Sequence, residues 1–173
     1  MNKLNFKNIF NRNIIKPNIN YKIFANKKIL VTGSAGFIGS HFTKNLLDDG
    51  FEVLGIDNLN DYYDPKLKID RLAILEPYNN FTFKKVDIAN KNLLAKSFTR
   101  FNPEKVVHLA AQAGVRYSMD NPYAYLDANL TGFFNILELC RHNDVKGLIY
   151  ASSSSVYGAN TKIPFSTKDQ TDQ

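Results

Sequence analysis

The sequence has 173 residues, enough to bury one hydrophobic core, and its single cysteine excludes an internal disulfide. The three histidines are far apart in the chain and form no cluster with Cys140, so we expect no metal site. The formal net charge is +6, but seven of the 22 basic residues lie within 1–28. The rest of the chain has 15 basic and 16 acidic residues and is therefore nearly neutral. This distribution argues against nucleic-acid recognition.

Residues 1–27 form a basic extension rich in Asn and Lys, with apolar residues scattered through it. Three interpretations compete: a flexible tail, a basic helix lying on a membrane surface, and a targeting peptide. We expect a flexible tail, because the apolar residues form only a loose helical face and no secretory core. No stretch approaches a transmembrane span, so we expect no integral membrane association. The lone cysteine fits a reducing compartment, and we expect a cytoplasmic protein.

From Lys28 onward, apolar runs alternate with helical patterns. The runs are apolar throughout rather than alternating, which is typical of parallel strands covered on both faces. Repeated βα units predict an α/β fold, a doubly wound parallel (Rossmann) sheet over 28–173. The predicted strands are 28–32, 51–57, 81–86, 105–110 and 147–152, and the predicted helices are 37–47, 66–75, 93–101 and 123–142.

A glycine-rich turn joins the first predicted strand to the first predicted helix. Gly33 permits the tight turn, Gly36 lets a pyrophosphate approach the backbone, and Gly39 allows close packing of helix on strand. Asp57 ends the second strand about 20 residues later, where a carboxylate accepts hydrogen bonds from the adenosine ribose. The same carboxylate would repel a 2′-phosphate. This arrangement predicts a dinucleotide site that favours NAD over NADP.

Polar and small residues follow the next three predicted strands, at the edge where doubly wound sheets bind ligands. Asp87 would accept from the amino group of an adenine while Ile88 packs on its ring. The small residues within 108–114 would let the backbone lie close to a ribose or nicotinamide. The serine run 152–155 would hydrogen-bond a substrate hydroxyl that is losing hydride, beside a stronger proton-transfer group.

These stretches together resemble the extended short-chain dehydrogenase/reductase family, the nucleotide-sugar epimerases and dehydratases. The resemblance rests on 31–41, Asp57-Asn58, Asp87-Ile88, 108–111 and 152–158. Within that family, three further stretches are similar to UDP-glucuronate 4-epimerases: 59–65, 112–118 and 157–173. Dehydratases usually have Thr-Asp-Glu where Ser153-Ser154-Ser155 stands, which makes that class less similar.

The resemblance implies NAD as cofactor and assigns roles by position. It assigns the catalytic Ser/Thr to Ser153. It places Arg116 and Ser118 near a sugar or its carboxylate, and the stretch containing Asn129 behind the cofactor. The other cofactor-binding residues that it implies are Gly33, Gly36, Phe37, Ile38 and Gly39 at the pyrophosphate, Asp57 and Asn58 at the adenosine ribose, Asp87 and Ile88 at the adenine, and Ala110, Ala111 and Gln112 on the nicotinamide side.

The family also uses a Tyr-x-x-x-Lys pair, which we expect beyond Gln173 together with the C-terminal substrate domain. The chain is therefore expected to be the cofactor-binding half of an NAD-dependent UDP-glucuronate/UDP-galacturonate 4-epimerase, a homodimer when complete. Alone, we expect it to bind NAD weakly or not at all and to be inactive. The alternatives are another extended family member, such as a UDP-glucose 4-epimerase, dehydratase or reductase, and a non-catalytic NAD(H)-binding module or inactive gene fragment.

Overall fold

The computed structural model describes residues 28–171. The basic extension 1–27 lies outside the described residues, so its character as a flexible tail stays a prediction. Within 28–171, no helix has both the length and the apolar character needed to cross a membrane.

Five parallel strands form one sheet in the order β3-β2-β1-β4-β5. The order reverses direction between β1 and β4, which is the topological switch point of a doubly wound fold. The predicted Rossmann architecture is confirmed. The strands are β1 Lys28–Thr32, β2 Glu52–Asp57, β3 Phe81–Lys85, β4 Lys105–His108 and β5 Gly147–Tyr150. The helices are α1 Phe37–Asp48, α2 Pro65–Leu75, α3 Lys91–Phe101, α4 Tyr117–Asp120, α5 Pro122–Tyr125 and α6 Phe133–His142, with a π-helical segment Leu126–Gly132 before α6 and a 3-10 turn Ser154–Tyr157 after β5.

The central strand β1 contributes to two hydrophobic cores, one on each face of the sheet, because successive side chains of a strand point to opposite faces. Ile29 and Val31 pack with residues of α1 and α2, including Leu46 and Leu72. Leu30 packs on the other face with residues of α3 and α6. The sheet is thus covered on both sides, which leaves its carboxyl edge as the open place for a ligand.

The prediction that every strand is apolar throughout was wrong for β3. Phe81 and Phe83 pack on the first core, whereas Thr82 and Lys84 are exposed. Among the described strands β3 pairs only with β2, at the edge of the sheet, and its outward side chains remain in contact with solvent. An edge strand of this kind alternates in polarity like a half-buried strand.

The predicted helix over 123–142 is present as an unbroken helical run over 122–142, but it is not α-helical throughout. It begins as expected, with the Asn121 side chain accepting from Ala124 N (3.3 Å) and Pro122 in the first turn. A π-helical segment then replaces regular α-helix over Leu126–Gly132. The short helix α4, Tyr117–Asp120, was not predicted.

Two strands end earlier than the apolar pattern indicates. β4 was predicted to reach residue 110 but stops at His108. The Leu109 N–H is shared between Thr32 O (3.2 Å) and Thr32 Oγ1 (3.1 Å), and the Ala110 N–H donates to Oγ1 at 3.1 Å. β5 was predicted to reach residue 152 but stops at Tyr150. The Thr32 hydroxyl thus supplements the ladder at Leu109 and takes its place at Ala110, where the chain leaves the strand.

Candidate functional site

A cavity of about 600 Å³ opens at the carboxyl edge of the sheet. It lies beside the switch point between β1 and β4, the usual ligand position in this architecture. All of the sequence-predicted cofactor-binding residues except Asn129 line it. These are Gly33, Gly36, Phe37, Ile38, Gly39, Asp57, Asn58, Asp87, Ile88, Ala110, Ala111 and Gln112.

Two glycines of the turn leave no room for a side chain against neighbouring backbone, and the third lies beside the cavity. Gly33 has a φ of +71°, and a Cβ there would lie 2.8 Å from Ala110 N. A Cβ on Gly39 would lie 2.0 Å from Gly33 O, so the start of α1 can lie on the turn only without a side chain. Gly36 lines the cavity, and the contact within 4 Å that a Cβ there would make is with Gly33 O, at 3.1 Å.

Helix α1 begins at Phe37 without a side-chain cap, and Phe37 and Ile38 line the cavity. The first N–H groups of a helix have no partner within the helix, and the helix dipole makes this end positive. Together with the opening beside Gly36, this end suits an anionic group such as a pyrophosphate.

Asp57 closes β2 at the cavity wall and is only 7% exposed. Its Oδ2 accepts from Ala35 N at 3.2 Å and its Oδ1 from Leu59 N at 2.9 Å. A carboxylate offers about four acceptor positions, so these two bonds leave capacity for further donors. The backbone bonds orient the carboxylate and retain acceptors for a ligand's hydroxyl groups.

The next part of the wall comes from the ends of β2 and β3. Asn58 Nδ2 donates to Asp87 Oδ2 at 3.0 Å, and Asp87 Oδ1 accepts from Ala89 N at 2.8 Å. Ile88 is buried, and Gly132 of the π-helical segment packs so closely that a Cβ there would lie 2.6 Å from the Ile88 side chain. The polar and apolar parts of the predicted adenine site are therefore adjacent.

A buried hydrogen-bond centre at Thr32 supports the loop after β4. Thr32 Oγ1 accepts from two backbone N–H groups, so its own hydroxyl donates to Nδ1 of His108, 2.7 Å away. His108 stacks on Phe133, and burial lowers its pKa from 6.5 to about 4. The imidazole is thus neutral, with its proton on Nε2.

Besides Asn129, three further predicted site residues lie outside the cavity lining. Ser153 is exposed, and its hydroxyl accepts from Ser155 N (3.2 Å) and donates to Ser155 Oγ (3.1 Å) at the start of the 3-10 turn. Arg116 is exposed and makes no side-chain hydrogen bond or ion pair within 28–171. Ser118 donates to Val115 O at 2.6 Å. The structure brings the predicted dinucleotide residues together but not these three.

The Tyr-x-x-x-Lys spacing also occurs once near α2, although we expect the family's pair beyond Gln173. Tyr62 and Lys66 have this spacing, but they make no hydrogen bond to each other. Lys66 Nζ donates to Asp70 at 2.7 and 2.8 Å, while the ring of Tyr62 packs against Tyr117. Within 28–171 the spacing therefore does not form a working pair. No group of three or more metal-ligating side chains is found there either.

Comparison with known proteins decides the family. Residues 30–172 match the family described as GDP-mannose 4,6 dehydratase. The chain belongs to this family. UDP-glucuronate 4-epimerase 4 of Arabidopsis thaliana is 52% identical over 146 residues, which are 84% of this chain and 33% of the relative. Protein CapI of Staphylococcus aureus is 58% identical over 145 residues, 84% of this chain and 43% of the relative.

The solved structures agree. A mutant UDP-glucuronic acid 4-epimerase from Bacillus cereus, in complex with UDP-4-deoxy-4-fluoro-glucuronic acid and NAD, matches with a TM-score of 0.72 and 36% identity. The match covers 83% of this chain and 45% of that one. The predicted resemblance to extended short-chain dehydrogenases/reductases is confirmed. The chain spans less than half the length of these relatives.

The family resemblance did not identify every cavity residue. Lys68 and Arg71 of α2 also line the cavity, as do Asn60, Tyr62 and Tyr63 in the loop before it. One signal was available in the sequence. Lys68 precedes Leu72 and Leu75 by four and seven residues, so it lies on the apolar face of its helix, where a lysine requires a partner.

Proposed function

We propose that this chain is the cofactor-binding half of an NAD-dependent nucleotide-sugar 4-epimerase that interconverts UDP-glucuronate and UDP-galacturonate through a transient 4-keto sugar. The observation that carries the proposal is the cavity itself, in which the glycine turn and the oriented, 7% exposed carboxylate of Asp57 face the same space. The names of the relatives, UDP-glucuronate 4-epimerases from a plant and a bacterium, support the substrate class.

The residues of the cavity fit NAD. The glycine turn and the start of α1 would hold the pyrophosphate, because the first N–H groups of the helix have no side-chain cap and Gly36 has no Cβ. Asp57 would accept from the adenosine ribose, and its charge disfavours a 2′-phosphate. The buried Ile88 would pack on the adenine, with Asp87 accepting from its amino group. When bound, NAD supplies the hydride acceptor for oxidation at C4 of the sugar.

The chain's own part in the reaction is to orient these groups. Gln112 and its neighbours, held by Asn129, would lie along the nicotinamide side. Ser153 would hydrogen-bond the oxygen at C4 as it loses its proton, which requires its hydroxyl to leave Ser155. Arg116, with no partner within 28–171, would approach the sugar carboxylate. We assign removal of the C4 hydroxyl proton to the Tyr-x-x-x-Lys pair of a complete enzyme.

NAD titration of the purified 173-residue chain, followed by calorimetry or NMR, tests the proposal. Because the residues that line the cavity all lie within 28–171, we narrow the expectation of weak or no binding to weak but saturable binding. Asp57→Ala should lose this binding, because the change removes the ribose acceptor. Asp61→Ala is the matched control, since Asp61 is exposed and does not line the cavity. Circular dichroism establishes that each variant is folded. A folded chain that binds no NAD, or an Asp57→Ala variant that binds as well as Asp61→Ala, contradicts the proposal.

The sugar is tested separately, with NAD present. UDP-glucuronate should perturb the NMR signals of the Arg116 side chain more than UDP-glucose, because only the former carries a carboxylate for the guanidinium. Equal perturbation by both sugars would favour a UDP-glucose 4-epimerase. Epimer interconversion by the isolated chain would contradict the assignment of proton transfer to a pair outside residues 28–171.

We also propose that the complete enzyme is a homodimer that buries the outer face of α6 and the π-helical segment. Leu130, Phe134 and Leu137 recur there at helical spacing and are 64%, 61% and 40% exposed. Such a stripe is typical of a helix that packs on another helix. Light scattering that finds a monomer of the complete enzyme at micromolar concentration would contradict this.

A further inference from the structure

Three tyrosines from separate parts of the chain lie together beside the cavity. Tyr62 belongs to the loop before α2 and lines the cavity, Tyr117 begins α4, and Tyr125 ends α5. The ring centres of Tyr62 and Tyr117 are 4.8 Å apart, with the ring planes tilted by 47°, and those of Tyr117 and Tyr125 are 6.3 Å apart. Aromatic rings attract each other at such separations. The three rings therefore join the loop before α2 to the segment that follows β4.

Two of the three tyrosines also contact the backbone between β4 and α4. The hydroxyl proton of Tyr125 is shared between Ala113 O, at 2.9 Å, and Gly114 O. Gly114 has a φ of +97°, and a Cβ there would overlap with Tyr62 Oη. A glycine is required at this position, because it tolerates the positive φ and leaves room for the tyrosine. Tyr62 is thus in close contact with the loop 113–118.

This loop carries Arg116, which we have proposed as the partner of the sugar carboxylate. Arg116 makes no side-chain hydrogen bond or ion pair within 28–171. Its guanidinium is therefore not held by contacts of its own, and its position depends on the backbone on either side. Tyr62 contacts that backbone before Arg116, at Gly114, and packs on the ring of Tyr117 directly after it.

We propose that Tyr62 is a positioning residue for the sugar, and that its ring holds the loop 113–118 in the conformation in which Arg116 binds the sugar carboxylate. Tyr62 acts through the loop and makes no contact with the sugar itself. This inference rests on the proposed function, since it takes a uronate as the sugar and Arg116 as the residue that binds it.

The ring of Tyr62, and not its hydroxyl, is the part that this role requires, because the hydroxyl makes no hydrogen bond within 28–171. Tyr62→Phe keeps the ring and Tyr62→Ala removes it. Tyr62 is 41% exposed and belongs to neither hydrophobic core, so both variants should fold, as circular dichroism can establish. Tyr123→Ala is the matched control, because Tyr123 of α5 is 72% exposed and has no ring contact within the same residues.

Hydrogen exchange of the unliganded chain tests whether the ring holds the loop. The N–H groups of Ser118 and Met119 donate to the carbonyls of Val115 and Arg116, at 3.3 and 3.0 Å, so their exchange reports on the shape of the loop. Tyr62→Ala should speed this exchange about fivefold, the loss of one aromatic pair, whereas Tyr62→Phe and Tyr123→Ala should change it by less than about twofold. Unchanged exchange in Tyr62→Ala overturns the inference.

Binding of two sugars at saturating NAD tests whether the loop positions Arg116. Dissociation constants of UDP-glucuronate and UDP-glucose are measured by NMR titration of the same variants. Only UDP-glucuronate has a carboxylate for the guanidinium, so Tyr62→Ala should weaken it about fivefold and UDP-glucose by less than about twofold. Tyr62→Phe should restore the affinity for UDP-glucuronate. A purely structural role of Tyr62 would weaken both sugars by the same factor, and that result overturns the inference.

A double variant tests whether Tyr62 acts through Arg116. In a chain that already has Arg116→Ala, Tyr62→Ala should change the affinity for UDP-glucuronate by less than about twofold, because the group that it positions is gone. An undiminished effect of Tyr62→Ala in this background would show that Tyr62 contacts the sugar directly or acts on another residue, and it overturns the inference.

Failure of the proposed function can be distinguished from failure of this inference. If the unmodified chain does not bind UDP-glucuronate more tightly than UDP-glucose, the proposed sugar is wrong and the inference fails with it. If the unmodified chain prefers UDP-glucuronate and Tyr62→Ala retains the same preference, the inference alone is rejected.

Discussion

Asn129 binds both backbone groups of Gln112. Its Oδ1 accepts the Gln112 N–H at 2.8 Å, and its Nδ2 donates to the Gln112 carbonyl at 2.9 Å. A single side chain from the π-helical segment therefore pairs with the loop after β4 as a neighbouring strand would. The contact fixes the wall of the cavity from behind, and Asn129 itself does not line the cavity.

Asn129→Ala should therefore loosen this loop. We expect a loss of about 2 kcal/mol in the free energy of unfolding, because two buried backbone groups lose their partner, together with weaker NAD binding. Urea denaturation and NAD titration measure the two effects. Asn143→Ala is the control, since it removes one side-chain hydrogen bond to Leu139 O at the end of α6, away from the cavity. Equal effects of the two variants on NAD binding would contradict the assigned role.

Two glycines of the turn should separate stability from binding. Gly39→Ala should destabilise the fold by about 3 kcal/mol, since its Cβ would lie 2.0 Å from Gly33 O and the backbone would have to move. Gly36→Ala should cost less stability, because Gly36 has an ordinary φ of −70°, but it should abolish NAD binding by filling the pyrophosphate space. Thermal melts and NAD titration of both variants test this. A Gly36→Ala chain that binds NAD normally would place the pyrophosphate elsewhere.

His108 should make the fold sensitive to acid. Burial lowers its pKa in the folded chain from 6.5 to about 4, so between these values the unfolded chain binds more protons than the folded one. Stability is therefore complete above pH 6.5 and falls as the pH drops toward 4, by about 2 to 3 kcal/mol at pH 4.5 from this residue alone. Urea denaturation at pH 7.5 and 4.5 should show a smaller loss in His108→Asn. An equal loss in both chains would contradict the assignment.

Cys140 should be unreactive in the folded chain. Burial raises the pKa of its thiol from 9.0 to about 11, so only about a thousandth is thiolate at pH 8. We expect iodoacetamide to modify Cys140 slowly in buffer and rapidly in denaturing urea, as followed by mass spectrometry. Rapid modification in buffer would show that this part of α6 opens locally.

The strands and the glycine turn were predictable because their signals are local. The apolar runs gave the five strands, and the spacing of Gly33, Gly36 and Gly39 needs only the sequence around it. The C-terminal end of β4 depends instead on Thr32, whose hydroxyl oxygen accepts from Leu109 N, 77 residues away in the sequence. A pattern of apolar residues contains no information on such a contact.

The site was predictable where a residue follows its own strand and less so where two segments meet. Asp57 and Ile88 reach the cavity simply because their strands end there. Lys68 was missed because its burial depends on Asn60 and Asp57, which the loop before α2 brings beside it. Ser153 is exposed and outside the cavity lining, and its hydroxyl caps the start of the 3-10 turn. Residue type alone does not decide between this local cap and a bond to a ligand.

The π-helical segment Leu126–Gly132 determines which face of α6 is turned toward the core. A π turn contains one residue more than an α turn, and each residue of an α-helix advances the face by about 100°. Deletion of a single residue within 126–132 would return the segment to α-helix and rotate the whole of α6 by that angle. Ile136 would then leave the core, and the apolar stripe of Phe134 and Leu137 would point in a new direction. Because of the extra residue, one helical run can line the cavity with Ala128 in its first half and place Ile136 of its second half in the core.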